Sequence, residues 1–299
     1  MKPFAYEAPT SVDQAVTLLA EKGERARPLA GGTDILVQVR RGFHNLDLLV
    51  DVKRIPELVR IDYDAEEGLT LGAAVSCAVL CEHPTLQAHY PGLLDAVSII
   101  GGAAIQGRAT LGGNLCNAAP SGDAIAAMIA LGGEALVAGP EGRRLVPIAS
   151  FCTAPGVTAL RPGDLVVALR FAPPKPHSGA AYVRFVPRGE MDIAVAGAGA
   201  WVALSPGGTT FTDARIALSA VAPTPLYVER AAEALAGQAP GEDAYARAAE
   251  AAQEAAKPID DMRGTAAQRQ HLVGVLVKRA LRAAVARAGA NHAGTGMEA

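Results

Sequence analysis

The chain has 299 residues, of which 50% are hydrophobic and 19% charged, with a formal net charge of −3. That length and apolar content support two or three domains, each with its own core, and the near-balanced charge offers no basic face for nucleic acid. No apolar run approaches the ~20 residues of a membrane span, and MKPFAYEAPTSVDQ at the start lacks the apolar stretch of a secretory signal, so the expectation is a cytoplasmic chain.

Ser11 precedes a run in which Val12, Ala15, Val16 and Leu19 recur at helical spacing until Gly23, which predicts an amphipathic helix. ARPLAGG follows as a short strand ending in glycine. TDILVQVRRG reads as a helix capped by Thr33 or Asp34, with Gly42 beyond its end. Residues 47–52, DLLVDV, form a short apolar strand. Strand–helix–strand order with apolar strands predicts a small parallel sheet.

The texture changes after Pro56. LVRIDYDAEEGLTLGAAVS reads as a hairpin around an acidic turn, and TLQAHYPGLLDAVSIIGG as one helix. A glycine-rich block over 101–122 leads into the helix DAIAAMIALGG. EALVAGPEGRRLVPIASF is a second hairpin turning at 139–142, and GDLVVALRFAP a further strand. These elements predict an antiparallel sheet with flanking helices.

APPKPHSG, residues 172–179, is proline-rich and aperiodic, and reads as a linker. Beyond it lie three strand-like runs, AYVRFVPR, IAVAGAGAWVALS and DARIALSAVAP. Three alanine-rich helices follow, in PLYVERAAEALAG, GEDAYARAAEAAQEAA and TAAQRQHLVGVLVKRALRAAVARAG. In the last, Leu272, Val275, Leu276, Arg279, Ala280 and Ala283 make the apolar stripe. The predicted organisation is an N-terminal subdomain (1–55), a second subdomain (56–175), a C-terminal domain (176–288) and a disordered tail (289–299).

Two glycine pairs stand out: AGGTD at 30–34 and TLGGN at 110–114. Losing two Cβ atoms lets a backbone adopt positive φ and approach a ligand closely. Successive N–H groups in such a turn converge on an anion, and a helix starting behind it adds free amides and a positive dipole end. Two such turns from different segments fit the two phosphates of a diphosphate gripped from opposite sides; tight turns alone would also account for them.

Other signatures are missing. No G-x-G-x-x-G follows the first strand and no G-x-x-x-x-G-K-[ST] is present, so a dinucleotide would be held by something other than a Rossmann or P-loop cradle. Cys77, Cys81, Cys116 and Cys152 match neither C-x-x-C nor the plant-type iron–sulfur spacing, and read as free thiols. The histidines show no zinc-ligand spacing.

AGGTD followed some eighty residues on by TLGGN resembles the signature of the FAD-binding medium subunit of molybdenum hydroxylases, the heterotrimeric relatives of xanthine dehydrogenase and aerobic carbon monoxide dehydrogenase. FAYEAPTSVDQAVTLLAE, NAAPSGD, AYVRFVPRGEMDIAVAGAGAWV and DDMRGTAAQRQHLVGVLVKRAL extend the resemblance over almost the whole chain. It implies an α+β fold: a two-part FAD-binding domain of the PCMH/VAO type, with a small parallel βαβ subdomain and an antiparallel subdomain. A C-terminal domain of a three-stranded antiparallel sheet and three helices follows.

The resemblance also implies site residues. The FAD diphosphate falls to Leu29, Ala30, Gly31, Gly32, Thr33 and Asp34, the last as a cap or hydroxyl acceptor because its charge opposes phosphate. Ile105, Thr110, Gly112, Gly113 and Asn114 lie near diphosphate and flavin, followed by Ser121 and Asp123. Asp123 is either an acceptor for the ribityl chain or an N-cap, or both. Asp192 and Ile193 fall beside the isoalloxazine, although Ile193 also reads as a core residue of a strand. Ile105-Gln106-Gly107 departs from the Ile-Arg-Asn common in relatives, with Arg108 nearby. No catalytic side chain and no metal ligand is implied. The implied role is electron transfer from [2Fe–2S] clusters of a small partner subunit to an external acceptor, with substrate oxidised on a large molybdenum-cofactor subunit, in a dimer of heterotrimers. A stand-alone FAD-dependent oxidoreductase of the same fold is the alternative.

Overall fold

In the computed structural model, which describes residues 3–189 and 191–294, strand β1 (Ala5–Glu7) leads to helix α1 (Val12–Lys22). Ser11 Oγ caps α1 by accepting the amide of Gln14 at 3.3 Å, and Gly23, at φ 55°, turns the chain out of it. Strand β2 (Ala26–Leu29), helix α2 (Ile35–Arg40) and strand β3 (Leu48–Asp51) follow. The strands pair in the order β1-β3-β2, all parallel. The sheet expected from the sequence is there, widened by β1, whose three residues are too few to show a period.

The second unit holds the hairpin of β4 (Ile61–Asp64) and β5 (Gly68–Gly72), then six helices. These are α3 (Cys77–Glu82), α4 (Pro84–His89), α5 (Pro91–Val97), α6 (Ala103–Gln106), α7 (Leu111–Asn117) and α8 (Asp123–Ala130). The strands β6 (Glu134–Gly139), β7 (Gly142–Pro147), β8 (Cys152–Ala154), β9 (Val157–Thr158) and β10 (Leu165–Phe171) complete it. Five of the strands form an antiparallel sheet in the order β4-β5-β10-β6-β7. The single helix expected over TLQAHYPGLLDAVSIIGG is two, α4 and α5. Proline disfavours helical backbone in the residue before it, and Tyr90 sits at φ −130°, ψ 46° while Pro91 starts the next helix. All eight residues of α8 are buried, in a core with Leu93, Leu111, Phe151 and Phe171.

The third unit is an antiparallel sheet of β11 (Ser178–Phe185), β12 (Ala196–Leu204), β13 (Phe211–Ser219) and β14 (Leu226–Tyr227), one short strand more than the three expected. It packs against α9 (Glu229–Glu233), α10 (Glu242–Ala255) and α11 (Ala266–Gly294). The buried stripe of α11 is Val273, Leu276, Val277, Ala280, Leu281, Ala284 and Ala288. It is rotated from the expected one, and Arg279 lies in solvent. The reason is Gly179 on β11: a Cβ there would lie 2.2 Å from the carbonyl oxygen of Ala284, so strand and helix backbones meet closely along that line. The tail expected from 289 begins as helix, since α11 continues to Gly294; residues 295–299 lie outside the described residues.

Alternate residues of β11 tie this unit to the second. Asp95 of α5 accepts the Tyr182 amide at 3.0 Å and both arms of Arg287 at 2.6 and 2.9 Å. Asp123 of α8 accepts the Tyr182 hydroxyl at 3.1 Å and pairs with Arg184. Hydrogen bonds to charged groups contribute more than neutral ones, and a partly buried carboxylate left unpaired is costly. Arg287→Met is expected to destabilise the folded chain by about 2 kcal/mol, read as a lower urea midpoint with an unchanged denaturant slope.

Candidate functional site

The parallel and antiparallel units meet at a cleft of about 760 Å³, and both glycine segments line it. The first is the loop between β2 and α2. Lys53 holds it from behind: its Nζ donates to the carbonyl of Ala30 at 2.9 Å and to Asp51 at 2.7 Å, while the Tyr6 hydroxyl donates to the other Asp51 oxygen at 2.6 Å. Burial opposes the charge on Asp51, but the Lys53 and Tyr6 hydrogen bonds hold its carboxyl below the usual range. With these carbonyls anchored to the ammonium, the amides of Gly31, Gly32, Thr33 and Asp34 find no acceptor among the described residues. Gly32, at φ 82°, is the one glycine of the two pairs in the left-handed region.

The second pair is not a turn but the first turn of α7. Thr110 is its cap, Oγ1 accepting the Gly113 amide at 3.0 Å. Gly112 packs on β5's exit, where a Cβ would lie 2.5 Å from the Ala73 carbonyl oxygen. The glycine-rich block expected over 101–122 therefore holds a helix that begins inside the motif, ahead of α8. The amides of Leu111 and Gly112, at its open end, also find no acceptor among the described residues.

The two segments touch. A Cβ on Gly31 would lie 2.0 Å from the carbonyl oxygen of Arg108 and 3.1 Å from the Cα of Ala109. Only glycine lets the first loop seat against the residues leading into α7. Asn114 lines the same cleft with its Oδ1 buried and unpartnered. Asp34 also faces the cleft; it makes no capping hydrogen bond, and burial raises its pKa. The cleft thus presents free backbone donors for phosphate together with acceptors for hydroxyl or ring N–H groups, the combination an FAD requires.

Ala30, Gly31, Gly32, Thr33, Asp34, Thr110, Gly112, Gly113 and Asn114 converge here. The other expected residues lie outside the lining. Leu29 packs under Gly32, and Ile105 against Gly101. Ser121 sits in the turn before α8. Asp123 is committed to Tyr182 and Arg184; Gly122, not Asp123, holds the cap position of α8. Burial pushes the Asp123 carboxyl up to about 6 against the opposing pull of Arg184. Asp192 pairs with Arg188 at 3.2 Å and Arg263 at 3.6 Å, and Ile193 is 48% exposed rather than a core residue. Sequence reasoning missed Arg27, Gln38, His44, Asn117 and the stretches 156–158 and 160–166, all in the lining. Gln38 and Asn117 carried one visible signal, as polar residues close behind each glycine pair.

A parallel unit and an antiparallel unit closing on a cleft of free backbone amides define a dinucleotide-binding flavoprotein domain. Residues 2–174 match the family model for the FAD binding domain in molybdopterin dehydrogenase, and residues 181–284 that for the CO dehydrogenase flavoprotein C-terminal domain. The carbon monoxide dehydrogenase medium chain of Hydrogenophaga pseudoflava is 37% identical over 95% of this chain and 98% of its own length. A xanthine dehydrogenase FAD-binding subunit of Escherichia coli is 32% identical over 95% and 97%. Among solved structures, CO dehydrogenase from Oligotropha carboxidovorans aligns with a TM-score of 0.91 at 33% identity, covering 96% of this chain and 99% of that one. Quinoline 2-oxidoreductase from Pseudomonas putida gives 0.88 at 29%, with the same coverage. The chain belongs to the FAD-binding subunits of the molybdopterin dehydrogenase family, flavoprotein components of oxidoreductases.

Gly31→Ala is expected to lose FAD with its far-ultraviolet circular dichroism intact, whereas Gly107→Ala, whose Cβ meets nothing within 4 Å, retains FAD as the wild type does; flavin absorbance per chain reads both. For Asp123, burial makes the folded carboxyl hold its proton more tightly than the unfolded one. The stability this contributes is full below the ordinary carboxyl value of 3.8 and is lost as pH rises through about 6. Urea unfolding across that range should show wild type losing stability relative to Asp123→Asn as pH increases.

Proposed function

We propose that this chain is the electron outlet of a heterotrimeric molybdenum hydroxylase. It takes electrons from [2Fe–2S] clusters on a small partner subunit and passes them to an external acceptor, while substrate is oxidised on a large molybdenum-cofactor subunit, the assembly being a dimer of heterotrimers. The observation that carries this reading is the convergence of both glycine segments and Asn114 on one cleft. The relatives' descriptions as medium chain and FAD-binding subunit supply the setting.

In this reading the free amides of Gly31, Gly32, Thr33 and Asp34, with those of Leu111 and Gly112, hold the diphosphate. Ala30 and Thr110 shape the two loops, Gly113 leaves the mouth of α7 open, and Asn114 and Asp34 accept from hydroxyl groups. When bound, FAD supplies the exchange between one-electron and two-electron carriers. The chain's own work is to orient the cofactor and restrict access to it, and no acid or base of this chain is required. Its four cysteines form no disulfide, consistent with work in the reducing cytoplasm. Among the described residues, no helix is long and apolar enough to cross a membrane.

The purified native complex should release one FAD per copy of this chain on denaturation, and its flavin should bleach when the complex's substrate is added anaerobically. The separated chain should keep its FAD yet turn over no small substrate. Absence of FAD from the intact complex would overturn the reading; turnover by the separated chain would favour a stand-alone oxidoreductase.

A further inference from the structure

The two jaws of the cleft touch at Gly31 and Arg108, which fixes one point. Behind it the two units share an apolar core, in which Val12, Ala15 and Leu19 of α1 pack with Ala138 of β6 and with Leu165 and Val167 of β10, so what is left to set is the place of α2 at the far end of the first loop. On the β2 side of the first loop, the Lys53 ammonium supplies an anchor through the Ala30 carbonyl. On the other side the loop runs into α2, and α2 is weakly rooted. Val39 is its one buried residue, packed in a small cluster with Leu46 and Leu49 that is separate from the larger cores. Leu36 and Val37 lie 45% and 47% exposed. Apolar burial therefore does little to keep α2 against the second unit.

A polar chain does reach across. Gln38 Nε2 of α2 donates to Asn117 Oδ1, at the end of α7, at 2.8 Å. Its Oε1 meets His44 Nε2 at 3.0 Å. With Nε2 of Gln38 donating to Asn117, its oxygen is left to accept, and the Nε2–H tautomer of His44 is the one that donates to it. Burial and the nearby Arg27 charge lower the His44 pKa, which favours the neutral ring. All three side chains line the cleft, and the bond joins residues 79 apart in sequence.

We propose that Gln38, locked by His44 and bonded to Asn117, is a positioning residue that clasps the two glycine segments at the spacing the dinucleotide needs. The clasp sets how long FAD is retained. This inference rests on the FAD reading of the cleft and adds a residue outside both glycine motifs. A neutral hydrogen bond is worth on the order of 1 kcal/mol, which corresponds to roughly fivefold in an equilibrium.

The test is the rate at which FAD leaves the purified FAD-loaded chain after dilution, followed as flavin appearing in ultrafiltrate. Gln38→Met keeps length and helix propensity but makes neither hydrogen bond, and should speed release about fivefold or more. Asn117→Ala should also speed release, and the double variant should release no more than about twofold faster than the faster-releasing single variant, because both remove the same bond. The thermal midpoint of the FAD-free chain should fall by no more than about 4 °C in Gln38→Met, the shift of a lost hydrogen bond, whereas a general loss of folding would lower it much further. A Gln38→Met release rate within about twofold of wild type, or strictly multiplicative effects of the two substitutions, would overturn the clasp. A wild-type chain holding no FAD would instead overturn the reading on which it rests.

Discussion

The close approach of Gly31 to the Arg108 carbonyl organises this molecule. An added Cβ would lie 2.0 Å from that oxygen, well inside van der Waals contact. With this contact in front and the core that α1 shares with β6 and β10 behind, the parallel and antiparallel units share a seam rather than merely neighbouring each other. Everything useful about the cleft follows from that seam: two sets of amides, one in a loop and one at the start of a helix, face a common space from separate parts of the chain. Neither set would bind a diphosphate strongly alone, since each offers only a few donors in contact with solvent.

The glycines do different jobs that one motif conceals. Gly31 and Gly112 are small because backbone lies where a side chain would be. Gly32 is glycine because its φ of 82° is strained for other residues. Gly113 donates to its own cap, Thr110. So one pair of letters, repeated, encodes a seam, a left-handed turn, a packing contact and a capped helix start. The diphosphate reading survives this, but its cause shifts from ligand approach alone to the assembly of the walls that the ligand meets.

The C-terminal unit is tied to the second unit by charged hydrogen bonds. Two carboxylates on helices of the second unit, Asp95 and Asp123, take up hydrogen bonds from one strand, β11, at the Tyr182 amide, the Tyr182 hydroxyl and Arg184. Arg287 of α11 joins the same cluster through Asp95. Asp123, expected as an acceptor for the ribityl chain or an N-cap, bonds to Tyr182 and Arg184 in the chain itself. Its position at the first residue of α8 was visible in the sequence, whereas its partners, about sixty residues away in the chain, were not.

What the sequence by itself determined is the set of local choices. The helix start at Ser11, the glycine stop at Gly23, both hairpins and the parallel order of β2 and β3 all follow from propensities and periods that act over a few residues. The glycine pairs announced a ligand site for the same reason. Tertiary structure decided what depends on distant neighbours: the rotation of α11 onto Gly179, the commitment of Asp123 to β11, the exposure of Ile193, and the meeting of Gln38 with Asn117. These depend on which backbone arrives within a few ångströms from elsewhere in the chain, and no pattern within a single segment encodes that arrival.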